Sequence, residues 1–261
     1  MKWSRELEVA KSAAVKAGEA ILEIYNNADI EVEYKKDHSP LTIADKNANR
    51  MIVETLRNHF PTYAVLSEEE KDDKARLNND YCFVVDPLDG TKEFIKRNGQ
   101  FTVNIALAYQ HESVMGVIYV PVTGDLYYGA RGYGAFLQSS DGEVRKLSVS
   151  DKRNISALRV VMSNSHGCKQ MDDLIEKYQL TNLVSIGSSL KGCMIAEGRA
   201  DVYYRFNPTM EWDTAAMQCI VEEAGGIFRQ MDDTVMRYNR ENSLNEKGFY
   251  IINHVDAALH F

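Results

Sequence analysis

Cysteine, proline and long apolar runs are all scarce in this chain of 261 residues. The four cysteines are widely separated and include no CxxC pair; they are Cys82, Cys168, Cys193 and Cys219. This pattern argues against a disulfide framework and against a cysteine-ligated zinc site, and it fits a reducing cytoplasm. We expect the four thiols to behave as small, buried apolar side chains.

No uninterrupted apolar segment reaches the length that a membrane span requires. The opening segment, MKWSRELEVAKSAAVKAGEAIL, has charged residues within its apolar spacing, so we expect neither a signal peptide nor a membrane helix there. The sequence therefore predicts a cytoplasmic protein. It leaves open a peripheral association with the inner membrane.

Positive charge is also in short supply, because the formal net charge is −8 and acidic and basic residues are interspersed. Proteins that follow a nucleic-acid backbone usually have a basic face, so a polymeric DNA or RNA substrate is disfavoured. A small anion in a local basic pocket is compatible with this charge.

The composition is that of an ordered globular protein, since 44% of the residues are hydrophobic and only five are proline. The length allows one large domain or two smaller ones. From about residue 141 the chain becomes polar, in the run SSDGEVRKLSVSDKRN. This run predicts a boundary near residue 145 between two subdomains.

The spacing of apolar residues predicts helices layered on sheets. Periods of three to four residues predict helices over most of residues 3–26 and over 41–60, the second ending at Pro61. Strands are predicted in YAVLSE, YCFVVD, FTVNIALAYQ, SVMGVIYVP and GDLYYGARGYGAFLQ. The segment GARGYGAF lacks the GxGxxG spacing of a phosphate loop, and its aromatic flanks favour a hairpin turn with packed tyrosines.

Beyond residue 157, predicted strands and helices alternate, in the order LRVVMS, CKQMDDLIEKYQ, LVSIGS, SLKGCMIAEG, DVYYRF, DTAAMQCIVEEAG and GFYIIN. Such alternation indicates an α/β protein in which layers of helices cover layers of sheet.

Two carboxylates follow a predicted buried strand in the stretch FVVDPLDGTKEF. A simple turn explains this composition, because Asp, Pro and Gly are common in turns. A metal site explains it equally well, because Mg²⁺ prefers oxygen ligands and Asp86, Asp89 and the Leu88 carbonyl would supply them together. Gly90 would let the backbone approach a phosphate, and the Thr91 hydroxyl would orient an attacking water.

The spacing of the two acids also bears on the chemistry. Phosphatases that use an aspartate nucleophile place the second Asp two residues after the first, whereas Asp86 and Asp89 are three apart. A covalent aspartyl-phosphate is therefore disfavoured. Two divalent ions held at this turn would activate a water and steady the leaving oxygen, so the expected reaction is hydrolysis of a phosphate monoester.

Acidic residues in two other segments are candidates for the same site. Glu68 begins a run of three glutamates after a predicted strand, and such runs are ordinarily solvated loops. If the strands that end at Glu68 and Asp86 lie side by side, however, these acids meet at one sheet edge. Asp213 precedes a predicted helix, where an N-cap role and a position facing a ligand are both open.

The order of these motifs resembles that of the inositol monophosphatase superfamily, whose members are lithium-sensitive, magnesium-dependent phosphatases. The motifs are LTIAD with Asp45, then SEE, DPLDGT and EWDTAA, and together they extend over nearly the whole chain. The resemblance implies an alternating α-β-α-β-α sandwich. It also implies a Mg²⁺ cofactor of two or three ions, for which Mn²⁺ would substitute and which Li⁺ would inhibit.

The resemblance further implies a role for individual residues. The metal ligands would be Glu68, Asp86, Asp89, Asp213 and the Leu88 carbonyl. Asp45 and Thr91 would position and deprotonate the water, which Glu68 would reach through its metal. The turn from Leu88 to Thr91 would hold the substrate phosphate. An N-terminal subdomain (1–145) would contain a large antiparallel sheet and most metal ligands, and a C-terminal subdomain (146–261) would supply Asp213 and the substrate pocket.

Within the superfamily, the stretches DPLDGTKEFIKRNGQFTVNIAL and GSSLKGCMIAEGRADVYYRF most resemble the bacterial 3′(2′),5′-bisphosphate nucleotidases. Inositol monophosphatases usually have an acid where Arg205 stands and a neutral amide where Lys191 stands. Two cations on the substrate side favour a second phosphate over a polyol. The implied reaction removes the 3′-phosphate of adenosine 3′,5′-bisphosphate to give AMP.

The residues implied to contact this substrate are Glu68, Leu88, Asp89, Gly90, Thr91, Ser163, His166, Gly187, Lys191, Arg205 and Asp213. Several have a plainer interpretation. His166 would then be a solvated loop residue, and Lys191 and Arg205 ordinary surface charges.

Two other functions stay open. One is a sugar phosphatase, either an inositol monophosphatase or a fructose-1,6-bisphosphatase. The other is a catalytically silent module that binds metal or nucleotide and regulates a partner, although no ligand position of the family is missing. The sequence does not distinguish a monomer from a homodimer, nor adenosine 3′,5′-bisphosphate from its sulfated analogue.

Overall fold

Helices separate single strands or groups of strands along the chain, and the largest group is a run of five consecutive strands over residues 102–146. A computed structural model describes residues 2–27, 32–34, 40–72, 74–164 and 167–260. The helices of these residues are α1 (Ser4–Tyr25), α2 (Ile43–His59), α3 (Thr91–Ile95), α4 (Lys169–Tyr178), α5 (Leu190–Ala196) and α6 (Glu211–Glu223). None of the described helices combines the length and the apolar character needed to cross a membrane.

The strands of the first half are β1 (Val32–Tyr34), β2 (Pro40–Thr42), β3 (Ala64–Ser67), β4 (Tyr81–Asp89), β5 (Thr102–Tyr109), β6 (Glu112–Val120), β7 (Asp125–Ala130), β8 (Gly134–Gln138) and β9 (Val144–Lys146). Those of the second half are β10 (Arg159–Ser163), β11 (Asn182–Ile186), β12 (Val202–Arg205), β13 (Thr209–Met210), β14 (Ile227–Gln230), β15 (Leu244–Asn245) and β16 (Phe249–Ile252).

Two large sheets contain most of these strands. The first has seven strands in the order β3-β4-β5-β6-β7-β8-β9, and its pairs are antiparallel except for β3–β4. The second has five strands in the order β11-β10-β12-β16-β14, with parallel pairs on both sides of β10. The subdomain boundary near residue 145 stays a prediction.

Both sheets are buried on their two faces, so the chain forms five layers. Alternate residues of β4 show this for the first sheet: Phe83 and Val85 pack with α1 and α2, whereas Val84 packs with α5 and α6. The second sheet has α5 and α6 on one face, and on the other it has α4 through Met171 and Leu174. The order helix, sheet, helix, sheet, helix confirms the predicted α/β sandwich.

Several local predictions are also confirmed. β7 and β8 form the hairpin predicted for GARGYGAF, and Tyr127 and Tyr128 of β7 are buried in the sheet packing. Cys82, Cys193 and Cys219 are buried thiols, whereas Cys168 is only partly buried.

The predicted N-cap role of Asp213 is wrong. α6 begins two residues earlier, at Glu211, which places Asp213 in the first helical turn. The carboxylate of Glu211 is fully buried and accepts hydrogen bonds from the backbone N–H groups of Asn239 (2.5 Å) and Arg240 (3.0 Å). These bonds anchor the earlier start of the helix.

Candidate active site

The predicted meeting of two strand ends is confirmed by the register of β3 and β4. These strands are parallel, and Ser67 lies opposite Val85. The backbone N–H of Glu68 continues the pairing by donating to the Val85 carbonyl at 3.1 Å. Glu68 and Asp86 therefore lie next to each other where β3 ends.

The end of β4 is irregular, and the irregularity directs both of its acids. Asp86 lies opposite Asn104 and Asp89 lies opposite Thr102, so β4 has one residue more than β5 between these pairs. The Leu88 N–H donates to the Asp86 carboxylate at 3.1 Å and closes the bulge. Bulges of this kind redirect side chains, and here they bring Asp86 and Asp89 to one side.

Gly90 ends the bulge with a φ of 95°, a conformation that residues with a Cβ rarely adopt. A Cβ at this position would lie only 3.0 Å from the Gln100 carbonyl oxygen. The glycine therefore lets the chain turn tightly into α3, which begins at Thr91.

The third acid comes from α6. Asp213 accepts a hydrogen bond from the Met210 N–H at 2.7 Å, which fixes its carboxylate at the helix start. Asp86, Asp89 and Asp213 each offer one carboxylate oxygen within 4.8 Å of the other two. The end of β4 and the start of α6 are thus brought to a single point.

Burial and mutual repulsion raise the proton affinity of Asp86 and Asp213. The pKa of Asp86 lies well above its usual range, because the group is buried and because Glu68, Asp89 and Asp213 add negative charge around it. Burial, followed by the charge of Asp89, raises the pKa of Asp213 to about 7. Hard cations such as Mg²⁺ bind several carboxylate oxygens, so the donor set fits a divalent metal.

Asp45 and Thr91 also meet, as the sequence predicted. The Thr91 hydroxyl lies 3.2 Å from Asp45 Oδ1 and 3.4 Å from the Leu88 carbonyl. Asp45 is held at the first turn of α2 by Thr42, whose backbone N–H (2.8 Å) and hydroxyl (2.5 Å) donate to Oδ2. Burial raises the pKa of Asp45, and the bonds from Thr42 and Thr91 oppose that rise.

A cavity of about 280 Å³ opens beside these acids. Its lining includes nine of the residues that the sequence assigned to metal or substrate, namely Glu68, Asp89, Gly90, Thr91, Ser163, Gly187, Lys191, Arg205 and Asp213. Asp45, Asp86 and Leu88 are buried and lie outside its lining. His166 lies outside the described residues.

The two basic residues of the cavity are held differently. The Lys191 ammonium is buried and donates to the carbonyls of Ser188 (2.5 Å) and Ile186 (3.5 Å), so the interpretation of Lys191 as a surface charge is wrong. Burial lowers the pKa of Lys191 to about 8. Arg205 is partly buried, and its Nε donates to the Asn207 carbonyl at 3.3 Å.

Sequence reasoning missed two buried polar residues of the site, Ser189 and Asn104. Both contact the Asp89 carboxylate, at 2.7 Å and 3.3 Å respectively. Ser189 lies inside the quoted segment GSSLK, and Asn104 interrupts the apolar strand FTVNIAL. A polar residue within a buried strand needs a partner, and this was the signal that could have found Asn104.

Comparisons with known proteins agree with this arrangement. A protein-family model described as the inositol monophosphatase family matches residues 2–258. The 3′(2′),5′-bisphosphate nucleotidase CysQ of Salmonella typhimurium is 40% identical over 94% of this chain and 98% of its own length.

Solved structures show the same relationship. The structure of CysQ from Bacteroides thetaiotaomicron has a TM-score of 0.83 at 43% identity, covering 96% of this chain and 98% of that one. The extragenic suppressor protein SuhB from Bartonella henselae has a TM-score of 0.82 at 27% identity, covering 95% and 94%. From the family match and these relatives, it follows that the chain belongs to the inositol monophosphatase family.

Proposed function

We propose that this protein is a 3′(2′),5′-bisphosphate nucleotidase, which removes the 3′-phosphate of adenosine 3′,5′-bisphosphate to give AMP and phosphate. The observation that carries the proposal is that one cavity is lined both by acids, Glu68, Asp89 and Asp213, and by the two cations Lys191 and Arg205. Relatives named as this nucleotidase are 38–40% identical over 90% or more of the chain. The sulfated analogue of this nucleotide would be a second substrate.

Mg²⁺ would be held by Asp86, Asp89 and Asp213, whose oxygens lie within 4.8 Å of one another. Glu68 and the Leu88 carbonyl would complete the set. When bound, divalent ions would lower the pKa of water and neutralise charge on the phosphoryl group. We further propose that two or three ions bind, that Mn²⁺ can replace Mg²⁺, and that Li⁺ inhibits the reaction.

Thr91 and Asp45 would handle the proton of the attacking water. The Thr91 hydroxyl donates towards Asp45 Oδ1, which leaves its oxygen lone pairs to accept a proton from a water in the cavity. That proton would pass to the Thr91 oxygen as the Thr91 proton passes to Asp45. The water oxygen then bonds to phosphorus as the bond from phosphorus to the ribose oxygen breaks. The ribose oxygen would keep the electron pair of that bond and take up a proton from a solvent water, and the proton held by Asp45 would return to solvent through Thr91.

The phosphate being removed would lie against the turn from Leu88 to Thr91. Gly90 and Thr91 line the cavity, and Gly90 has no side chain to obstruct the approach of an anion. The backbone N–H groups of Thr91 and Lys92, at the start of α3, have no carbonyl partner within the helix and would donate to phosphate oxygens.

The 5′-phosphate would be recognised by Arg205 and Lys191. Two carbonyls already accept from the Lys191 ammonium, so Lys191 would contribute mainly charge. The guanidinium of Arg205 lines the same cavity and has several donors in a fixed fork, which suits a phosphate. Ser163 and Gly187 line the wall beside these two cations.

The test is a comparison of substrates at fixed Mg²⁺. Phosphate release is measured from adenosine 3′,5′-bisphosphate, 3′-AMP and inositol 1-phosphate. The proposal expects kcat/KM to be highest for the bisphosphate. A clear preference for the inositol ester would contradict it and favour an inositol monophosphatase, an activity named for the 25% identical Anabaena structure with a TM-score of 0.78.

A further inference from the structure

Among the described residues, the hydrogen bonds to the Asp89 carboxylate all reach one of its two oxygens. Oδ2 accepts from the Ser189 backbone N–H at 2.6 Å and from the Ser189 hydroxyl at 2.7 Å. The Asn104 amide lies 3.3 Å from the same oxygen, and the Thr102 hydroxyl lies 3.5 Å away. Across the described part of the chain, no hydrogen bond reaches Asp89 Oδ1.

The direction of these hydrogen bonds is set by Asn104. Its Nδ2 donates to the Ser189 hydroxyl oxygen at 2.8 Å, and its Oδ1 accepts from the Thr102 hydroxyl at 3.0 Å. Because the Ser189 oxygen accepts from Asn104, its own proton is left to point at Asp89. All three supporting residues are almost fully buried, so water does not compete for these bonds.

The backbone that presents Ser189 is also constrained. Ser188 has a φ of 48°, and its carbonyl accepts from the Lys191 ammonium at 2.5 Å. At Gly187 a Cβ would lie 2.7 Å from the Glu93 side chain and 2.9 Å from the Gln100 carbonyl, and the Gly187 N–H donates to the Gln100 side chain at 2.8 Å. The turn before α5 is therefore pressed against the segment that follows Asp89.

We propose that Ser189 is a positioning residue for the metal site, holding Asp89 by Oδ2 so that Oδ1 is the oxygen directed at the ion. A carboxylate fixed at one oxygen by several donors cannot rotate freely about its last bond, which favours one direction for the other oxygen. The inference rests on the proposed function in one respect, namely that Asp89 is a metal ligand.

The experiment measures metal binding without substrate. Titration calorimetry with Mn²⁺ is performed on the metal-free full chain, for the wild type and for Ser189→Ala, which removes the hydroxyl but keeps the N–H. Loss of a partner that orients a ligand typically weakens metal affinity by 10- to 100-fold, so we expect the Mn²⁺ Kd to rise about tenfold. Ser189→Thr retains the hydroxyl and should stay within about threefold of the wild type.

The matched control is Ser150→Ala. Ser150 also donates its hydroxyl to a buried aspartate, Asp201, but that carboxylate is paired with Arg159 and belongs to another part of the fold. This control should leave the Mn²⁺ affinity unchanged. If Ser189→Ala does not fold, as judged by circular dichroism, Asn104→Ala removes the donor that orients the hydroxyl and is expected to weaken Mn²⁺ binding in the same direction.

The variant Asp89→Asn distinguishes two claims, namely that Asp89 binds the metal and that Ser189 positions Asp89. If Asp89→Asn weakens Mn²⁺ binding and Ser189→Ala does not, the inference is overturned and the metal site stands. If Asp89→Asn binds Mn²⁺ as the wild type does, both the metal assignment and the inference fall. A lower melting temperature with unchanged Mn²⁺ affinity in Ser189→Ala would show a merely structural role and would also overturn the inference.

Discussion

Glu68 and Asp86 lie side by side where β3 ends, because the residues before them, Ser67 and Val85, are opposite each other in the parallel pair β3–β4. The remaining acids arrive by different routes, Asp89 through the bulge of β4 and Asp213 through α6. Several like charges in a partly buried place repel one another. The cluster is therefore more favourable with a cation than without one.

Replacing Asp86 by Asn should separate the chemical role of this acid from its structural cost. Asn keeps an oxygen for the Leu88 N–H but removes a ligand charge, so turnover should fall by at least about 100-fold. In EDTA the same variant should melt no lower than the wild type, because a buried negative charge has been removed. Phosphate release and thermal melting are the two measurements.

Asp141→Asn is the control for this substitution, because Asp141 is an exposed turn residue that accepts from Ser139 and Glu143. It should leave turnover unchanged. Unchanged hydrolysis in Asp86→Asn would contradict the role assigned to that carboxylate.

Arg205→Ala should reduce discrimination in favour of a second phosphate. A hydrogen bond to a charged partner contributes about 1.5–3 kcal/mol, so kcat/KM for adenosine 3′,5′-bisphosphate should fall about 10- to 100-fold. For 3′-AMP, which lacks the 5′-phosphate, kcat/KM should change little. Initial rates on both substrates give the ratio.

The exposed Arg199, whose side chain lies 3.6 Å from Glu197, supplies the control Arg199→Ala, which should leave both rates unchanged. An equal fall on both substrates in Arg205→Ala would place this arginine at the reacting phosphate or at the nucleoside instead.

The ion pair between Arg159 and Asp201 should make stability depend on pH. Asp201 is fully buried and accepts from the Arg159 guanidinium at 2.6 Å and 3.0 Å. Burial raises the pKa of Asp201, but hydrogen bonds from Arg159 and Ser150 outweigh it and lower the pKa overall. The stabilisation is therefore present above the unfolded pKa of about 3.9 and is lost as the pH falls through the folded pKa.

Asp201→Asn should accordingly cost about 3 kcal/mol of unfolding free energy at neutral pH, because a buried pair loses one partner. The difference from the wild type should shrink below about pH 4. Urea unfolding at several pH values measures it. Asp256→Asn, at an exposed pair with Arg153, should show no such difference, and a constant gap for Asp201→Asn across pH would contradict the ion-pair account.

Gly116→Ala should disturb the packing of α6 on the first sheet. A Cβ on Gly116 of β6 would lie 2.4 Å from the Ala216 carbonyl oxygen and 2.9 Å from the Ala216 Cα. Because these are backbone atoms, the helix itself must move, at a cost of about 1–3 kcal/mol in unfolding free energy. Turnover should fall as well, since α6 carries Asp213.

Gly167→Ala is the matched control, because a Cβ there meets no atom of the described residues within 4 Å. Urea unfolding and initial rates should both be close to the wild type for that variant. Wild-type stability in Gly116→Ala would show that the close contact between β6 and α6 does not restrict how α6 packs on the sheet.

The elements that periodicity predicted well are the long ones. α1 and α2 have several turns of clear apolar spacing, β4 is a nine-residue buried strand, and β5 to β7 are largely buried strands separated by short turns. α3 was missed because five residues are too few to show a helical period, and β14 was missed because its sequence, IFRQ, does not alternate apolar and polar residues. The start of α6 was misplaced because contacts with Asn239 and Arg240, distant in sequence, define it.

The chemical character of the site could be predicted from the sequence alone. Asp86, Asp89, Gly90 and Thr91 are neighbours in one turn, so local spacing was enough to suggest a metal and a phosphate there. The sequence did not predict which oxygen of Asp89 is hydrogen-bonded or that Ser189 is its partner. Ser189 lies 100 positions away from Asp89, in the other half of the chain. That contact exists only because α5 and α6 are packed between the two sheets, and no local preference of either segment encodes how two sheets meet.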